Sequence, residues 1–488
     1  MFARPALWII FAAVLLLNVF RAVTQSLTID EAFTYNDYVA VDWEQARHHV
    51  DPNNHVLNTL LAKVSVGWWG PSEWAIRAPS LVGGAIYVLA AIGLVTCLFG
   101  STWTAVVVFC ALILNPIVLD YLSAARGYSL ALGLQFCALL LMVRLFRKPG
   151  GKVMGAGLHI AIGVALGLSA AANLTFSIPN LILVAVFLLL PWILAWMMTR
   201  TVDSEQVGLH AALILAAAGI TFGELMFGTF EGASTSTFSV GEPSVVRSVY
   251  IFFLRSFQFP TVPGGKLLPP LLAVAIGPVL VACLAGVLFR HFRKPAPDSS
   301  SEALLLCPPT LLASAAALVT LHLAVGLPYP YERTGIYFLP LITLTIAAAT
   351  AVPWKVLSRT ALLLLCAATL QYALELKSGW YEEWRFDAGT KRVMQAVNRA
   401  HDARPVPSRM GISWVYEASV LYYARVGHLD WLAPVTRADP RSGDFDYYYL
   451  AEEDQALVAQ RGLTVLYRDP VSKAVLGARH KSGEQSPP

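Results

Sequence analysis

The sequence predicts an all-α polytopic membrane protein that ends in a small extracytoplasmic α/β domain. Of its 488 residues, 56% are hydrophobic and only 14% are charged, and the mean hydropathy is +0.59. Soluble domains carry about 25% charged residues. Repeated apolar runs of about 20 residues match the thickness of a bilayer, in which helices satisfy their own backbone hydrogen bonds.

Apolar segments repeated along the first three quarters of the chain predict about eleven transmembrane helices. They lie at residues 6–23, 76–98, 103–119, 128–146, 154–172, 179–198, 208–227, 269–289, 303–326, 335–352 and 359–375. The shorter apolar stretch 54–69 predicts an interfacial or re-entrant helix, or the start of a long second span. Residues 1–23 lack a small-residue cleavage motif and many further spans follow, so we expect an uncleaved first helix.

Basic residues indicate how these helices are oriented. Four short loops are rich in Lys and Arg: 144–152, 199–206, 289–294 and 354–359. Cytoplasmic loops are enriched in these residues, and a cytoplasmic N-terminus places all four loops on that side. We therefore expect a multi-pass protein of the inner (plasma) membrane with its C-terminal region outside. The net charge of +4 follows from these loops and does not indicate a nucleic-acid partner.

The composition changes near residue 376, which divides the chain into a transmembrane domain (1–375) and a C-terminal domain (376–488). After "WYEEWRF" (380–386), whose aromatic residues are typical of a membrane interface, strand-like and helical patterns alternate. Strands are predicted at 409–415, 446–451 and 463–469, and helices at 388–400, 416–426 and 452–461. The tail "KSGEQSPP" is predicted to be disordered.

Two outer loops of the transmembrane domain are long. The first, 24–75, is expected to contain juxtamembrane helices, and the second spans 228–268.

A single near-match to a dinucleotide loop, "GAGLHI" (155–160), has Ile160 in place of the third glycine and no preceding strand. The six cysteines lie inside apolar runs without metal-ligand spacing, so they are predicted to be core residues.

An acid pair follows the first apolar segment, in "SLTIDEAFTYNDYV" (26–39). Asp30 and Glu31 are either solvated loop carboxylates that cap a short helix, or a general base held near the lipid headgroups. Adjacent ionised carboxylates repel each other, so we expect the pKa of one of them to be raised.

Three other stretches place polar residues on the same predicted face. The candidate substrate-binding and phosphate-binding residues are Asn54, His55, Asp120, Arg126, Tyr128, Glu332 and Arg333. Arginine is costly near a bilayer, and its planar fork suits the oxygens of a phosphate. For either arginine alone, the alternative is a side chain that snorkels to the interface.

These segments together resemble the GT-C integral-membrane glycosyltransferases, especially the protein O-mannosyltransferase and aminoarabinose transferase relatives. The matching elements are "IDEAFTY", the stretch 53–84 with its "G-x-S-E-x-x-x-R-x-P" character, "SAARGYSLAL" (123–132), and an arginine-bearing late loop before "YFLPL". The likeness is strongest over about residues 1–200. The C-terminal domain matches only in kind.

The resemblance implies a GT-C-like fold and an inverting transfer of a sugar from a polyprenyl-phosphate donor to an acceptor hydroxyl on the outer face. Asp30 would be the catalytic base, and Glu31 would orient the acceptor or share the proton. Arg126 with Tyr128, and Arg333, would hold the donor phosphate. No cofactor is required. A divalent metal stays open, because Ala124 stands where many relatives carry a carboxylate, with Asp120 one helical turn earlier.

Three alternatives compete with this hypothesis. A transporter or flippase for lipid-linked sugars also places arginines near lipid phosphates, although such proteins tend to have repeat symmetry and broken helices at mid-membrane. A glycan polymerase or ligase uses the same carriers, and a non-catalytic scaffold needs no site. The base and the phosphate-binding arginines must flank one sugar, so their convergence favours the glycosyltransferase. The sugar and the acceptor, whether glycan, lipid or protein, are not predicted.

Overall fold

The structure is a computed structural model, which describes residues 2–47, 51, 53–147, 152–197, 204–230, 241–257, 268–293, 304–401, 407–436 and 439–479. Its helices, in chain order, are α1 (Ala3–Thr24), α2 (Ile29–Thr34), α3 (Trp43–Arg47), α4 (Val56–Trp69), α5 (Glu73–Phe99), α6 (Trp103–Ile113), α7 (Pro116–Tyr121), α8 (Tyr128–Arg147), α9 (Lys152–Ala172), α10 (Ser177–Met197), α11 (Ser204–Met226), α12 (Val245–Ser256), α13 (Leu268–Arg293), α14 (Cys307–Val325), α15 (Phe338–Ala349), α16 (Lys355–Leu374), α17 (Thr390–Ala400), α18 (Glu417–Val426) and α19 (Ala456–Gln460). The protein is therefore mostly helical, as predicted.

Nine helices of the described residues are long and apolar enough to cross a membrane. They are α1, α5, α8, α9, α10, α11, α13, α14 and α16. Two further apolar helices, α6 and α15, are shorter. Ten of the eleven apolar segments overlap one of these helices each, and the segment 103–119 is divided between α6 and α7. The number of spans and their orientation stay predictions.

Close packing of α5 against α8 sets the frame of the molecule. A Cβ atom added to Gly83 on α5 would lie 2.5 Å from the backbone nitrogen of Leu130, and one added to Gly133 on α8 would lie 2.5 Å from the carbonyl oxygen of Gly83. Small residues at such positions let helix backbones approach closely in lipid. The contact holds the start of α8 beside the extracytoplasmic half predicted for α5.

The first loop is folded rather than extended. It contains α2, a π-helical turn (Tyr35–Val39), α3 and α4. The apolar stretch 54–69 forms α4, which ends at Gly70 with φ 79°. Because this left-handed residue separates α4 from α5, the stretch is not the start of one continuous second span.

A four-stranded sheet forms the core of the C-terminal domain. Its strands are β1 (Met410–Ile412), β2 (Tyr447–Leu450), β3 (Thr464–Arg468) and β4 (Val475–Ala478), in the spatial order β1-β2-β4-β3. The β1–β2 pair is parallel and the other two pairs are antiparallel. The three predicted strands and the helices α17, α18 and α19 are present, whereas β4 was not predicted. The tail 481–488 lies outside the described residues.

The C-terminal domain packs directly on the first loop. The hydroxyl of Tyr423 accepts a hydrogen bond from the backbone N–H of Leu27 (2.8 Å), and the hydroxyl of Tyr422 donates to the carbonyl of Pro71 (2.9 Å). The side chain of Asn36 donates to the carbonyl of Ala418 (3.0 Å). This domain therefore helps to fix α2, the helix that carries the acid pair.

Candidate active site

Three of the predicted site residues meet at one carboxylate oxygen. The Oδ2 atom of Asp30 lies 3.2 Å from Nη2 of Arg333 and 3.8 Å from Nε of Arg126. The indole N–H of Trp384 donates a hydrogen bond to the same oxygen (3.1 Å). Residues separated by some three hundred positions in the sequence thus lie together.

Arg126 has unused hydrogen-bonding capacity. Its residue is 1% exposed, and neither Nε nor Nη1 has a hydrogen-bond partner among the described residues. Buried N–H groups without hydrogen bonds are costly even beside the Asp30 charge, so these two nitrogen atoms suit an anionic ligand. The following residue, Gly127, has φ 69°, and a Cβ there would lie 2.2 Å from the carbonyl oxygen of Ala172. Only glycine fits this turn, which directs Arg126 towards Asp30.

Arg333 is shared between two carboxylates. Its Nη2 faces Asp30, and its Nη1 donates to Oε1 of Glu383. The other oxygen of Glu383 accepts a hydrogen bond from the hydroxyl of Tyr121 (2.6 Å). Arg333 therefore links Asp30 to an acid from the segment that follows the last apolar helix.

Glu31 points away from this cluster and is fully buried. Its two oxygens accept bidentate hydrogen bonds from Arg77 (2.8 and 2.7 Å). They also accept the backbone N–H groups of Thr28 (2.9 Å) and Ala125 (2.7 Å). Glu31 thus joins the start of α2, helix α5 and the residue before Arg126. All of its contacts serve to hold other groups in place.

The pKa values of the two neighbouring acids are both lowered, each by its own set of contacts. Burial raises the pKa of Asp30, but the charges of Arg126 and Arg333 and the indole hydrogen bond outweigh burial and lower the pKa. Burial also raises the pKa of Glu31, and here Arg77 and two backbone N–H groups lower it by more. The expectation that mutual repulsion raises one pKa is wrong, because each carboxylate has its own arginine.

Asp120 is held apart from the acid pair. It forms an ion pair with the buried Arg21, and its Oδ2 accepts the backbone N–H of Glu382 (2.8 Å). Burial raises the pKa of Asp120 by more than Arg21 lowers it. Within the described part of the chain, no three His, Cys, Asp or Glu side chains lie close enough to hold a metal ion.

The remaining candidates occupy different positions around the cluster. His55 packs edge-on against Tyr128 (ring centroids 5.4 Å apart), and its buried Nε2 has no partner among the described residues. Burial, together with the charges of Arg126 and Arg333, lowers the pKa of His55 well below its usual value, so the imidazole is neutral. Asn54 donates to the carbonyl of Ala46 (3.0 Å) and braces the first loop.

A cavity opens beside this cluster. Its wall includes Asp120, Tyr121, Glu332, Arg333 and Glu383. Glu332, with φ 48°, forms an ion pair with Arg255 (2.7 Å) at the rim. Arg333 is part of the cavity wall, whereas Asp30 and Arg126 are not.

Several residues that bind the predicted site residues were missed in the sequence. They are Arg21, Arg77, Tyr121, Glu383 and Trp384. Arg77 carried a usable signal, because an arginine inside an apolar run needs an acidic partner. The acids of "WYEEWRF" carried a weaker one, since aromatic residues near a bilayer usually serve as interface anchors.

Asp387 gives a pH-dependent prediction for stability. It is buried, accepts the backbone N–H of Ile29 (2.6 Å), and burial raises its pKa to about 8. Between the ordinary aspartate pKa of 3.8 and the raised pKa of about 8, Asp387 holds a proton in the folded protein but not in the unfolded chain. Stability therefore falls as pH rises through this window. Asp387→Asn should remove a slope of up to about 1.4 kcal/mol per pH unit. Thermal melting across pH checks this, with exposed Asp430→Asn as control. An unchanged slope would contradict it.

Comparison with known proteins adds the following. No family model matches the sequence, and neither does any curated protein. Among solved structures, ArnT from Cupriavidus metallidurans bound to undecaprenyl phosphate is 16% identical, with a TM-score of 0.45, over 98% of this chain and 99% of that chain. The oligosaccharyltransferase AglB from Archaeoglobus fulgidus, in complex with an inhibitory peptide and a dolichol-phosphate, is 12% identical, with a TM-score of 0.46, over 99% and 75%.

Both of these structures are similar to this chain over almost its whole length.

Proposed function

We propose that the protein is an inverting membrane glycosyltransferase that moves a sugar from a polyprenyl-phosphate donor to an acceptor hydroxyl on the outer face of the membrane. The observation that carries this proposal is the meeting of Asp30 with Arg126 and Arg333. In this proposal the N-terminus is cytoplasmic, and the first loop and the C-terminal domain are extracytoplasmic.

The proposed reaction has one proton acceptor and one leaving group. The acceptor oxygen attacks the anomeric carbon, the bond from that carbon to the phosphate oxygen breaks, and the hydroxyl proton passes to Asp30. The polyprenyl phosphate leaves with an additional negative charge. A carboxylate base contributes about 10²–10⁴-fold in rate. Preorganised donors aimed at the developing charge contribute about 3–4 kcal/mol each in comparable sites.

The arginines have separate tasks in this scheme. Arg333 lines the cavity and is partly exposed, so it is placed to meet the lipid phosphate first. Arg126 is buried, and its Nε and Nη1 atoms have no hydrogen bond within the described part of the chain. It binds the phosphate deeper in the site, with the neutral His55 and Tyr128 beside it. When the arginines bind the phosphate, they stabilise the charge of Asp30 less. The pKa of Asp30 then rises, and Asp30 becomes a stronger base.

Binding of undecaprenyl phosphate tests the phosphate site. Arg126→Ala removes charge-assisted hydrogen bonds of about 1.5–3 kcal/mol, so we expect the affinity to fall about 10- to 150-fold. The measurement is a titration of the protein in nanodiscs, with undecaprenol, which lacks the phosphate, as the ligand control. Arg247→Ala, which removes an arginine that is mostly exposed, should leave the affinity unchanged. Equal binding of both lipids by the unaltered protein would contradict the proposal.

Lipid profiling of a deletion strain tests the transfer itself. The strain should accumulate one polyprenyl-phosphate sugar and lack that sugar on one envelope acceptor. Complementation with the unaltered gene should reverse both changes. A transporter or flippase would instead leave the lipid-linked sugar on the cytoplasmic side, and a polymerase or ligase would leave long lipid-linked glycans. The profiling therefore distinguishes sugar transfer from these two alternative functions.

A further inference from the structure

The first residues of the C-terminal domain, which follow the last apolar helix, enter the active site. Trp384 is 3% exposed, and its indole N–H donates to Oδ2 of Asp30 (3.1 Å). The indole ring packs edge-on against Tyr121, with the ring centroids 5.4 Å apart. The hydrogen bond therefore comes from a side chain whose orientation is fixed by packing.

The neighbouring residues of this segment hold two other parts of the site. Glu383 binds Arg333 with one oxygen and the Tyr121 hydroxyl with the other. Asp387 accepts the backbone N–H of Ile29, the first residue of the helix that carries Asp30 (2.6 Å). Three contacts within five residues thus reach the base, the arginine and the helix.

The two oxygens of Asp30 are used unequally. Arg126, Arg333 and Trp384 all approach Oδ2. Among the described residues none donates a hydrogen bond to Oδ1. A carboxylate anchored through one oxygen presents the other in a fixed direction, which is what a base needs in order to meet an acceptor proton.

We propose that Trp384 and Glu383 are positioning residues of the active site, and that the C-terminal domain therefore completes it. Trp384 anchors Oδ2 so that Oδ1 faces the acceptor, and Glu383 keeps Arg333 from pairing fully with Asp30. The inference rests on the proposed glycosyl transfer. It assigns a function to a domain that the sequence describes only as an extracytoplasmic α/β unit.

Trp384→Phe tests the first half of the proposal, because phenylalanine keeps an aromatic ring and lacks the N–H. With the polyprenyl-phosphate sugar that accumulates in the deletion strain as substrate, we expect kcat to fall about 10-fold and the KM for the donor to stay unchanged. Trp380→Phe is the matched control, because the Trp380 indole N–H bonds to Glu382 instead (3.1 Å). It should leave kcat unchanged.

The pH dependence of kcat/KM, which reports the pKa values of the free enzyme, separates positioning from general damage. Losing the indole hydrogen bond moves the acid limb of the profile to higher pH in Trp384→Phe. Losing the Glu383 charge moves it to lower pH in Glu383→Gln, because Arg333 then pairs more fully with Asp30. A folding defect would lower the melting temperature and the amount of active protein. It would not shift the acid limbs of the two variants in opposite directions.

The outcomes are distinguishable from failure of the proposed function. If Asp30→Asn is inactive while Trp384→Phe matches the unaltered protein in kcat and pH profile, the positioning inference is overturned and the glycosyltransferase proposal stands. If Asp30→Asn is fully active, the proposed function fails instead. Loss of kcat in Trp384→Phe, with the opposite limb shifts and an unchanged Trp380→Phe control, supports the inference.

Discussion

Replacing Asp30 with Asn is expected to lower the rate of sugar transfer by about 10²–10⁴-fold. Asparagine keeps the size of the side chain and can still accept the hydrogen bond of Trp384, but it cannot take the acceptor proton. The substitution also removes the charge that faces Arg126 and Arg333. Binding of undecaprenyl phosphate should therefore be retained or become tighter, because the arginines no longer have Asp30 as a partner.

The opposite responses of turnover and binding make this prediction specific. Transfer is measured with the donor isolated from the deletion strain, and binding is measured with undecaprenyl phosphate in nanodiscs. Glu44→Gln is the matched control, since Glu44 is an exposed acid on the same loop. It should change neither quantity. Full transfer activity in Asp30→Asn would exclude Asp30 as the base.

Replacing Arg77 with Met is expected to destabilise the protein by about 3–5 kcal/mol, because it leaves the fully buried carboxylate of Glu31 without its ionic partner. The double variant Glu31→Gln with Arg77→Met should recover part of this loss, since no buried charge remains unpaired. The free energy of unfolding, measured in lipid–SDS mixtures, checks both expectations.

The control for this pair is an arginine of the same predicted face. Arg247 is mostly exposed and lies 3.3 Å from Glu242, so Arg247→Met should cost at most about 1 kcal/mol. The Glu31 pKa is lowered in the folded state, so the stabilisation from the pair is complete above the ordinary carboxyl pKa and is lost progressively as pH falls from there through the lowered pKa. Equal effects of Arg77→Met and Arg247→Met would show that the buried pair has no special role.

Much of the site was predictable because charge is costly beside a bilayer. Asp30, Arg126 and Arg333 were singled out because each lies beside an apolar segment on the same predicted face, and the family resemblance supplied their expected roles. Their convergence in the structure results from the packing of the first loop against the helices, which no local pattern encodes.

The different contacts of Asp30 and Glu31 were not predictable from the sequence. Two adjacent acids on a short helix look equivalent in the sequence, and only the partner decides which one faces the ligand. Glu31 is turned inward by Arg77, a residue 46 positions away. In the same way, the role of Trp384 depends on a contact with a residue 354 positions earlier in the chain. Tertiary contacts of this separation leave no periodic signal.

The fold of the C-terminal domain was predicted in part. The alternation of strand and helix patterns indicated α/β structure, and β1, β2 and β3 were found near their expected positions. Strand β4 was missed because Val475–Ala478 is short and includes Gly477, which has low strand propensity. Only the pairing with β2 and β3 on either side makes this segment a strand.

The most direct test is an experimental structure of the protein in nanodiscs with undecaprenyl phosphate. We expect the phosphate within hydrogen-bonding distance of Nε and Nη1 of Arg126, with the Asp30 carboxylate on the side where the sugar would be attached. Arg333 should move from Asp30 towards the phosphate. A phosphate bound away from both arginines, with the Asp30–Arg333 pair unchanged, would contradict the proposed site.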